Sequence, residues 1–227
     1  MKKYIPCLLF KKFFVMSDFI GDSLEDWTVE HQAVLAQSIR EAYSTSAHGV
    51  RSFHSALRLN PNRIYAQGYM RWVTLDSLLY EACMQGRLRG ITGTFRKNKS
   101  GPDSLELAGK KTRTLLVHLS DPDECPARSD LREQARECNQ TLLSFMQEPG
   151  AHEKPVQLLL VHAGEKYAGL RIYYDREMPS LYHDVTGNIL DRKPSPVSVF
   201  ETERVAESHP ALTLVAPEAK AALPVAN

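Results

Sequence analysis

The sequence predicts an α+β protein, in which an N-terminal helical subdomain precedes a mixed β-sheet with one βαβ crossover and a basic β-hairpin. Two observations carry this prediction. Apolar residues recur at helical spacing up to about residue 88, and after it they alternate with polar residues as they do in strands. With 227 residues and 43% hydrophobic content, the chain is long enough to bury a core.

The helical half is predicted from three periodic stretches. Ser23 and Asp26 have the spacing of a capping box, and apolar residues recur at helical spacing over residues 29–43. A second helix is indicated at residues 50–57. A third is predicted over residues 62–85, because apolar side chains repeat along it and a glycine follows it.

A crossover is predicted in the second half of the chain. Two nearly continuous apolar runs, residues 114–119 and 158–163, enclose a helix that begins after Ser129, so the two strands are expected to be parallel. His118 and His162 then end neighbouring strands, where open α/β sheets bind ligands, with ring centres within about 10 Å. They are candidate catalytic residues for acid/base cleavage of a phosphodiester, and the alternative is a structural role at the sheet edge.

Shorter strands are predicted after the crossover. A turn at residues 164–166 leads into a strand over residues 169–174. Arg171 and Tyr173 lie on the outward phase of that strand, so Tyr173 is expected to be exposed beside Arg171. Further short strands are predicted at residues 181–185, 189–190 and 197–200.

The predicted domain organisation has four parts. Residues 1–15 form a disordered leader, with Met16 as the true start of translation; a basic surface-anchoring segment is the alternative. The helical subdomain covers residues 16–88, and the sheet subdomain covers residues 89–203. Residues 204–227 hold a last strand and a disordered tail.

The charge is unevenly distributed. Residues 87–113 contain eight basic residues and two acidic ones, although the whole chain nets only +1. A local positive field of this kind favours an anionic partner, and a hairpin with a basic tip at residues 96–103 would present it. The candidate nucleic-acid-binding residues are Arg89, Arg96, Lys97, Lys99, Lys110, Lys111, Arg113, Arg171 and Tyr173.

An acidic segment downstream offers a competing interpretation. Residues 120–153 hold eight acidic residues against three basic ones. If this segment pairs with residues 87–113, the basic charge is neutralised inside the molecule and the nucleic-acid hypothesis loses its main support.

Aromatic residues near the basic stretch are a further indication. Tyr65, Tyr69, Trp72 and Phe95 precede it or lie within it. Aromatic faces beside cationic side chains are surfaces on which single-stranded nucleic acid stacks. Trp72 is expected to belong to the core instead.

Several reaction classes lack their motifs. The chain has no glycine-rich phosphate loop, no serine nucleophile elbow and no H-E-x-x-H. Its four cysteines show no C-x-x-C spacing, so no metal site and no cofactor is predicted, and a reducing cytosol is the expected compartment. The apolar N-terminal run is too short to span a bilayer, so no membrane span is predicted.

These patterns favour a binding protein over an enzyme. We expect a cytoplasmic accessory protein that binds nucleic acid non-specifically through the basic hairpin, by phosphate contacts that carry no sequence readout. One alternative is a protein-interaction module, an inhibitor or adaptor, with complementary basic and acidic surfaces. The other is a small phosphoesterase that uses His118 and His162. The helical subdomain is expected to act as a scaffold or as a homodimer surface.

Overall fold

The structure, a computed structural model, describes most of the chain between residues 21 and 192. The described ranges are 21, 23–52, 63–98, 102–142, 155–175, 177–178 and 180–192. The predictions for the leader, for the strand at residues 197–200 and for residues 204–227 lie outside these ranges.

The described residues include three α-helices of more than ten residues and six strands, and residues 23–26 form a further helical turn. The helices are α1 (Val29–Ser52), α2 (Arg63–Met84) and α3 (Asp130–Leu142). The strands are β1 (Thr92–Arg96), β2 (Ser104–Ala108), β3 (Thr112–His118), β4 (Val156–Ala163), β5 (Tyr167–Tyr173) and β6 (Tyr182–Asp184). This N-terminal helical region followed by a mixed sheet confirms the predicted α+β class. None of the described helices is both long and apolar enough to cross a membrane.

The strands lie in one sheet in chain order, β1 to β6. Strands β3 and β4 are parallel and the four other pairs are antiparallel. The α3 helix connects the parallel pair, which confirms the predicted crossover. In the register of this pair His118 lies directly beside His162.

Helices cover both faces of the sheet. The even-numbered apolar residues of β4 pack in one core cluster with α1 and α2, whereas its odd-numbered residues pack in a second cluster with α3. The first cluster contains, among others, Trp27, Leu35, Leu79, Leu107 and Leu158. The helices predicted as a separate subdomain therefore share their core with the sheet, and all described residues fall within one compact unit.

Local signals at the helix ends are partly as predicted. Gly86 follows α2 with a φ of 70°, a left-handed conformation that ends the helix, and the Ser129 hydroxyl accepts the Arg132 amide at the start of α3. The capping box at Ser23 and Asp26 is wrong. Thr28 caps α1 instead, since its hydroxyl accepts the His31 amide.

Asp26 has a different task from capping. Its carboxylate accepts hydrogen bonds from the amides of Lys110 and Lys111 and from the Thr112 hydroxyl, at 3.1, 2.7 and 2.8 Å. The spacing of Ser23 and Asp26 predicts a local capping box. The Asp26 carboxylate instead accepts hydrogen bonds from three donors at the β2–β3 turn. Asp26 thereby ties the start of the helical region to the sheet.

Two further predictions of elements need correction. The second helix does not start at residue 50, because α1 runs on without a break to Ser52; residues 53–57 lie outside the described ranges. Residues Ile189–Asp191 form a short 3₁₀ helix instead of a strand, because the Asn188 side chain accepts the Leu190 amide and caps it.

Candidate functional site

Two histidines meet at the carboxyl end of the parallel strand pair. The ring centroids of His118 and His162 lie 5.4 Å apart, within the distance that the sequence predicts. His118 is exposed at the end of β3, whereas His162 is buried on β4. Both belong to the even-numbered phase that faces α1 and α2, so helical side chains reach them.

Tyr43 of α1 holds the His162 ring in place. The Tyr43 hydroxyl lies 3.0 Å from Nδ1 of His162, and it also accepts the Gly164 amide at 2.9 Å. A phenol oxygen can accept two hydrogen bonds and donate one, so either neutral tautomer of His162 fits this contact.

Arg71 of α2 completes the cluster. Its guanidinium lies over the Tyr43 ring at 4.2 Å from the centroid, and one terminal nitrogen lies 3.0 Å from Nε2 of His118. Guanidinium groups only donate, so Nε2 of His118 is the acceptor. Nε of Arg71 is buried without a hydrogen-bond partner, and no carboxylate among the described residues forms an ion pair with Arg71.

The surroundings disfavour a charge on either imidazole. Burial, together with the neighbouring His118 and Arg71, lowers the pKa of His162 to about 3. Burial and the Arg71 charge also hold the pKa of His118 below its ordinary value, although Glu124 opposes them. Arg71 then carries the positive charge of the cluster, and the low pKa of His162 disfavours it as a proton donor to a leaving group.

The predicted basic residues divide into two groups. Some are already engaged: Arg96 pairs with Glu106 at 2.7 Å, Lys111 pairs with Glu25 at 3.1 Å, and Arg113 donates to the backbone carbonyls of Gly109 and Thr112. The others present exposed side chains with no ion pair in the described part of the chain: Arg89, Lys97 and Lys110. Lys99 lies outside the described ranges.

Arg171 and Tyr173 do not form an exposed surface. Tyr173 is only 1% exposed, so the prediction that it faces solvent is wrong. Arg171 is buried between the rings of Tyr167 and Tyr182 and pairs with Asp184 at 2.9 Å. The outward phase of β5 faces the layer of α3, and neither side chain is accessible to a phosphate.

The acidic segment does not neutralise the basic one in the described ranges. No ion pair there joins residues 87–113 to residues 120–142; the carboxylates that engage Arg96 and Lys111 are Glu106 and Glu25. Residues 143–154 of the acidic segment lie outside the described ranges.

Exposed aromatic and apolar side chains form a stripe along α2 that continues onto β1. We call the following residues the aromatic stripe: Tyr65 (76% exposed), Tyr69 (62%), Val73 (40%), Tyr80 (37%) and Phe95 (50%). The helical members share one side because their spacings are multiples of the helical repeat. The Tyr80 and Phe95 rings contact each other with centroids 5.4 Å apart, and the Tyr69 ring contacts the partly buried Trp72 at 5.5 Å.

The sequence indicates part of this arrangement. It predicts Tyr65, Tyr69 and Phe95 as stacking candidates, but it does not single out Tyr80, Tyr43 or Arg71. The spacing of Tyr80 from Tyr65 and Tyr69 is a signal that could have found it. No pattern marks Arg71 or Tyr43, because their positions depend on how α1 and α2 pack against the sheet.

No protein-family model, no curated protein and no solved structure matches this chain.

Proposed function

We propose that this protein is a cytosolic accessory protein that binds single-stranded nucleic acid without sequence preference, with bases stacked on the aromatic stripe and phosphates held by nearby cations. The observation that carries the proposal is the exposure of four aromatic rings along one side of α2 and the adjoining β1: Tyr65, Tyr69, Tyr80 and Phe95. Large exposed apolar patches mark interaction surfaces, since water contact with them is unfavourable.

The dimensions of the stripe suit a short strand of nucleic acid. Tyr65 and Tyr80 are fifteen helical positions apart, which is about 22 Å along the axis. At a rise of about 3.4 Å per stacked nucleotide, this length spans roughly six nucleotides. Each base stacked on an aromatic side chain contributes about 1–3 kcal/mol, and this contribution tolerates any base.

Cations flank the stripe at its β1 end. Arg89 precedes β1 and Lys97 follows it, so the two exposed cations bracket the strand that carries Phe95. Neither has a carboxylate partner among the described residues, and both are free to contact phosphate. The free thiols of Cys83, Cys125 and Cys138 are in keeping with a reducing compartment.

The experiment that tests the proposal removes the rings and leaves the fold. Tyr65→Ala/Tyr69→Ala should weaken binding of a mixed-sequence, single-stranded oligonucleotide at least tenfold, measured by fluorescence anisotropy at fixed salt, because two stacking contacts are lost. Met178→Ala is the matched control, because Met178 is a comparably exposed apolar residue away from the stripe (58%).

Three other outcomes count against the proposal. Absence of binding by the wild-type protein sinks it, and so does equal affinity of the double variant and the Met178 variant. A wild-type protein that self-associates or binds a protein, and loses this on Tyr65→Ala/Tyr69→Ala without binding oligonucleotide, would instead assign the stripe to a protein interface.

A further inference from the structure

We propose that Arg71 and His118 form a binding site for the phosphate group of a phosphate monoester, at the carboxyl end of the β3–β4 pair. The phosphate can belong to a free small molecule or to the 5′ end of a nucleic-acid strand. The site is independent of the aromatic stripe, because it is built from a different set of side chains.

Arg71 is a cation without a counter-ion among the described residues. Arg71 is partly buried, its neighbours are a phenol ring and a neutral imidazole, and no carboxylate among the described residues pairs with it. Buried charges are costly unless they are paired, and a guanidinium pairs best with a planar or tetrahedral oxyanion. Nε of Arg71 is a buried donor with no hydrogen-bond partner, so the protein alone does not satisfy the guanidinium.

The cluster lies at a position in the sheet where ligands commonly bind. His118 and His162 end the two parallel strands, and ligands of open α/β sheets bind outside the carboxyl ends of such strands. His118 is exposed, so a ligand reaches Arg71 from the His118 side. His162 lies behind it, buried and 5.4 Å away between ring centroids.

The side chains of the site are held in one geometry before a ligand binds. The Tyr43 ring lies against the Arg71 guanidinium, and the Tyr43 hydroxyl is fixed by the Gly164 amide and by His162. Groups that are fixed before the ligand arrives cost less entropy on binding. Tyr43 and His162 are positioning residues here, since they act through Arg71 and His118.

Binding of phosphate is expected to be coupled to proton uptake by His118. The groups that face His118 are Arg71 from α2, His162 from β4 and Glu124 from the loop after β3, which is held by the Ser120 amide at 3.0 Å. Arg71 and burial disfavour the imidazolium, whereas Glu124 and a bound phosphate dianion both favour it. Affinity for a dianion therefore rises as the pH falls from the pKa of His118 in the complex toward its lower pKa in the free protein. The rise ends where the phosphate itself takes up a proton, near pH 6.

The test is a titration of the full chain with inorganic phosphate, followed through the ring resonances of His118 by NMR. We expect a saturable shift toward the imidazolium position in the wild-type protein. Arg71→Gln and His118→Gln should each weaken binding at least tenfold, whereas Arg128→Gln, at an exposed arginine of the loop before α3, should not. Because His118 is exposed, the His118→Gln variant should fold even if the Arg71→Gln variant does not. Its binding of phosphate is measured by calorimetry.

A second titration separates the two sources of phosphate. A 5′-phosphorylated oligonucleotide that binds at least fivefold more tightly than its 5′-hydroxyl counterpart, with the advantage lost in His118→Gln, assigns the strand end; equal affinities assign a free monoester. No shift of His118 up to about 10 mM phosphate, where even weak millimolar binding is visible, overturns the proposal. So does an unchanged affinity in both variants. Failure of the 5′-hydroxyl strand to bind speaks only against the aromatic stripe.

Discussion

The Tyr43 hydroxyl and Nδ1 of His162 form a hydrogen bond of 3.0 Å between the first long helix and the centre of the sheet, across 119 positions of the chain. The same hydroxyl accepts the amide of Gly164, which has a φ of 64° in the turn after β4. One side chain thus satisfies two polar groups that have no other hydrogen-bond partner among the described residues. The arrangement of the histidine cluster therefore depends on the packing of α1 against the sheet.

Replacement of this hydroxyl should be costly. Tyr43→Phe keeps the ring under Arg71 but leaves Nδ1 of His162 and the Gly164 amide without their partner, so we expect a loss of about 1–3 kcal/mol in the free energy of unfolding. Urea denaturation measures it. Tyr80→Phe is the control, since Tyr80 is exposed and no hydrogen bond of its hydroxyl occurs among the described residues. Equal stability of the two variants would contradict the bridging role.

Asp76 should make stability depend on pH in an unusual direction. Its burial on α2 raises its pKa from 3.8 to about 7, although the Leu105 amide opposes this. Between these values the folded state holds a proton that the unfolded state has released, so the contribution of Asp76 to stability is full below pH 3.8 and is lost as the pH rises toward 7.

The Asp76→Asn variant measures this contribution. We expect it to gain stability relative to the wild-type protein as the pH is raised from 5 to about 8, by up to a few kcal/mol. The difference between the two proteins is the informative quantity, because other titrating groups, His162 included, then cancel. A difference that stays constant across this range would show that Asp76 is ionised throughout.

Asp26 should contribute more to the free energy of unfolding than its neighbour Glu25. Asp26→Ala leaves two amides and the Thr112 hydroxyl without their acceptor, and we expect a loss of about 3 kcal/mol by urea denaturation. Glu25 forms an ion pair with Lys111, but its side chain is 62% exposed, so Glu25→Ala should cost about 1 kcal/mol at most. Similar losses in both variants would mean that the turn is not held by Asp26.

The sequence predicts elements better than it predicts their surroundings. Periodicity alone finds α2, the hairpin strands and the parallel pair, and from the pair it follows that His118 lies near His162. The local spacing that suggested a cap at Ser23 misled, because Asp26 has better partners 84 to 86 positions away. Contacts of that range leave no trace in a local pattern.

Exposure was the weakest part of the prediction. Tyr173 alternates with apolar neighbours as a solvent-facing residue does, yet it is buried, because α3 covers the second face of the sheet. Arg89 and Lys97 are exposed, but a count of charges in the sequence cannot show that Arg96 is paired with Glu106. Arg71 was missed because a helix position gives no indication of which strand end it will reach.

The central claim is that the protein binds single-stranded nucleic acid through the aromatic stripe and the cations that flank it. Arg89 and Lys97 are exposed and without ion pairs in the described part of the chain, so we assign the phosphate contacts to them rather than to Arg96. Each contact with single-stranded nucleic acid contributes about −0.7 to the slope of log affinity against log salt concentration.

A salt titration of oligonucleotide binding by fluorescence anisotropy tests that claim most directly. The Arg89→Ala/Lys97→Ala variant should bind a mixed-sequence single strand at least tenfold more weakly, about 1.4 kcal/mol, and its salt slope should be shallower by about 1.4. Arg128→Ala, the control at an exposed arginine elsewhere, should leave both affinity and slope unchanged. If the wild-type protein does not bind, or if the double variant keeps the wild-type affinity and slope, the protein does not hold nucleic acid by this surface.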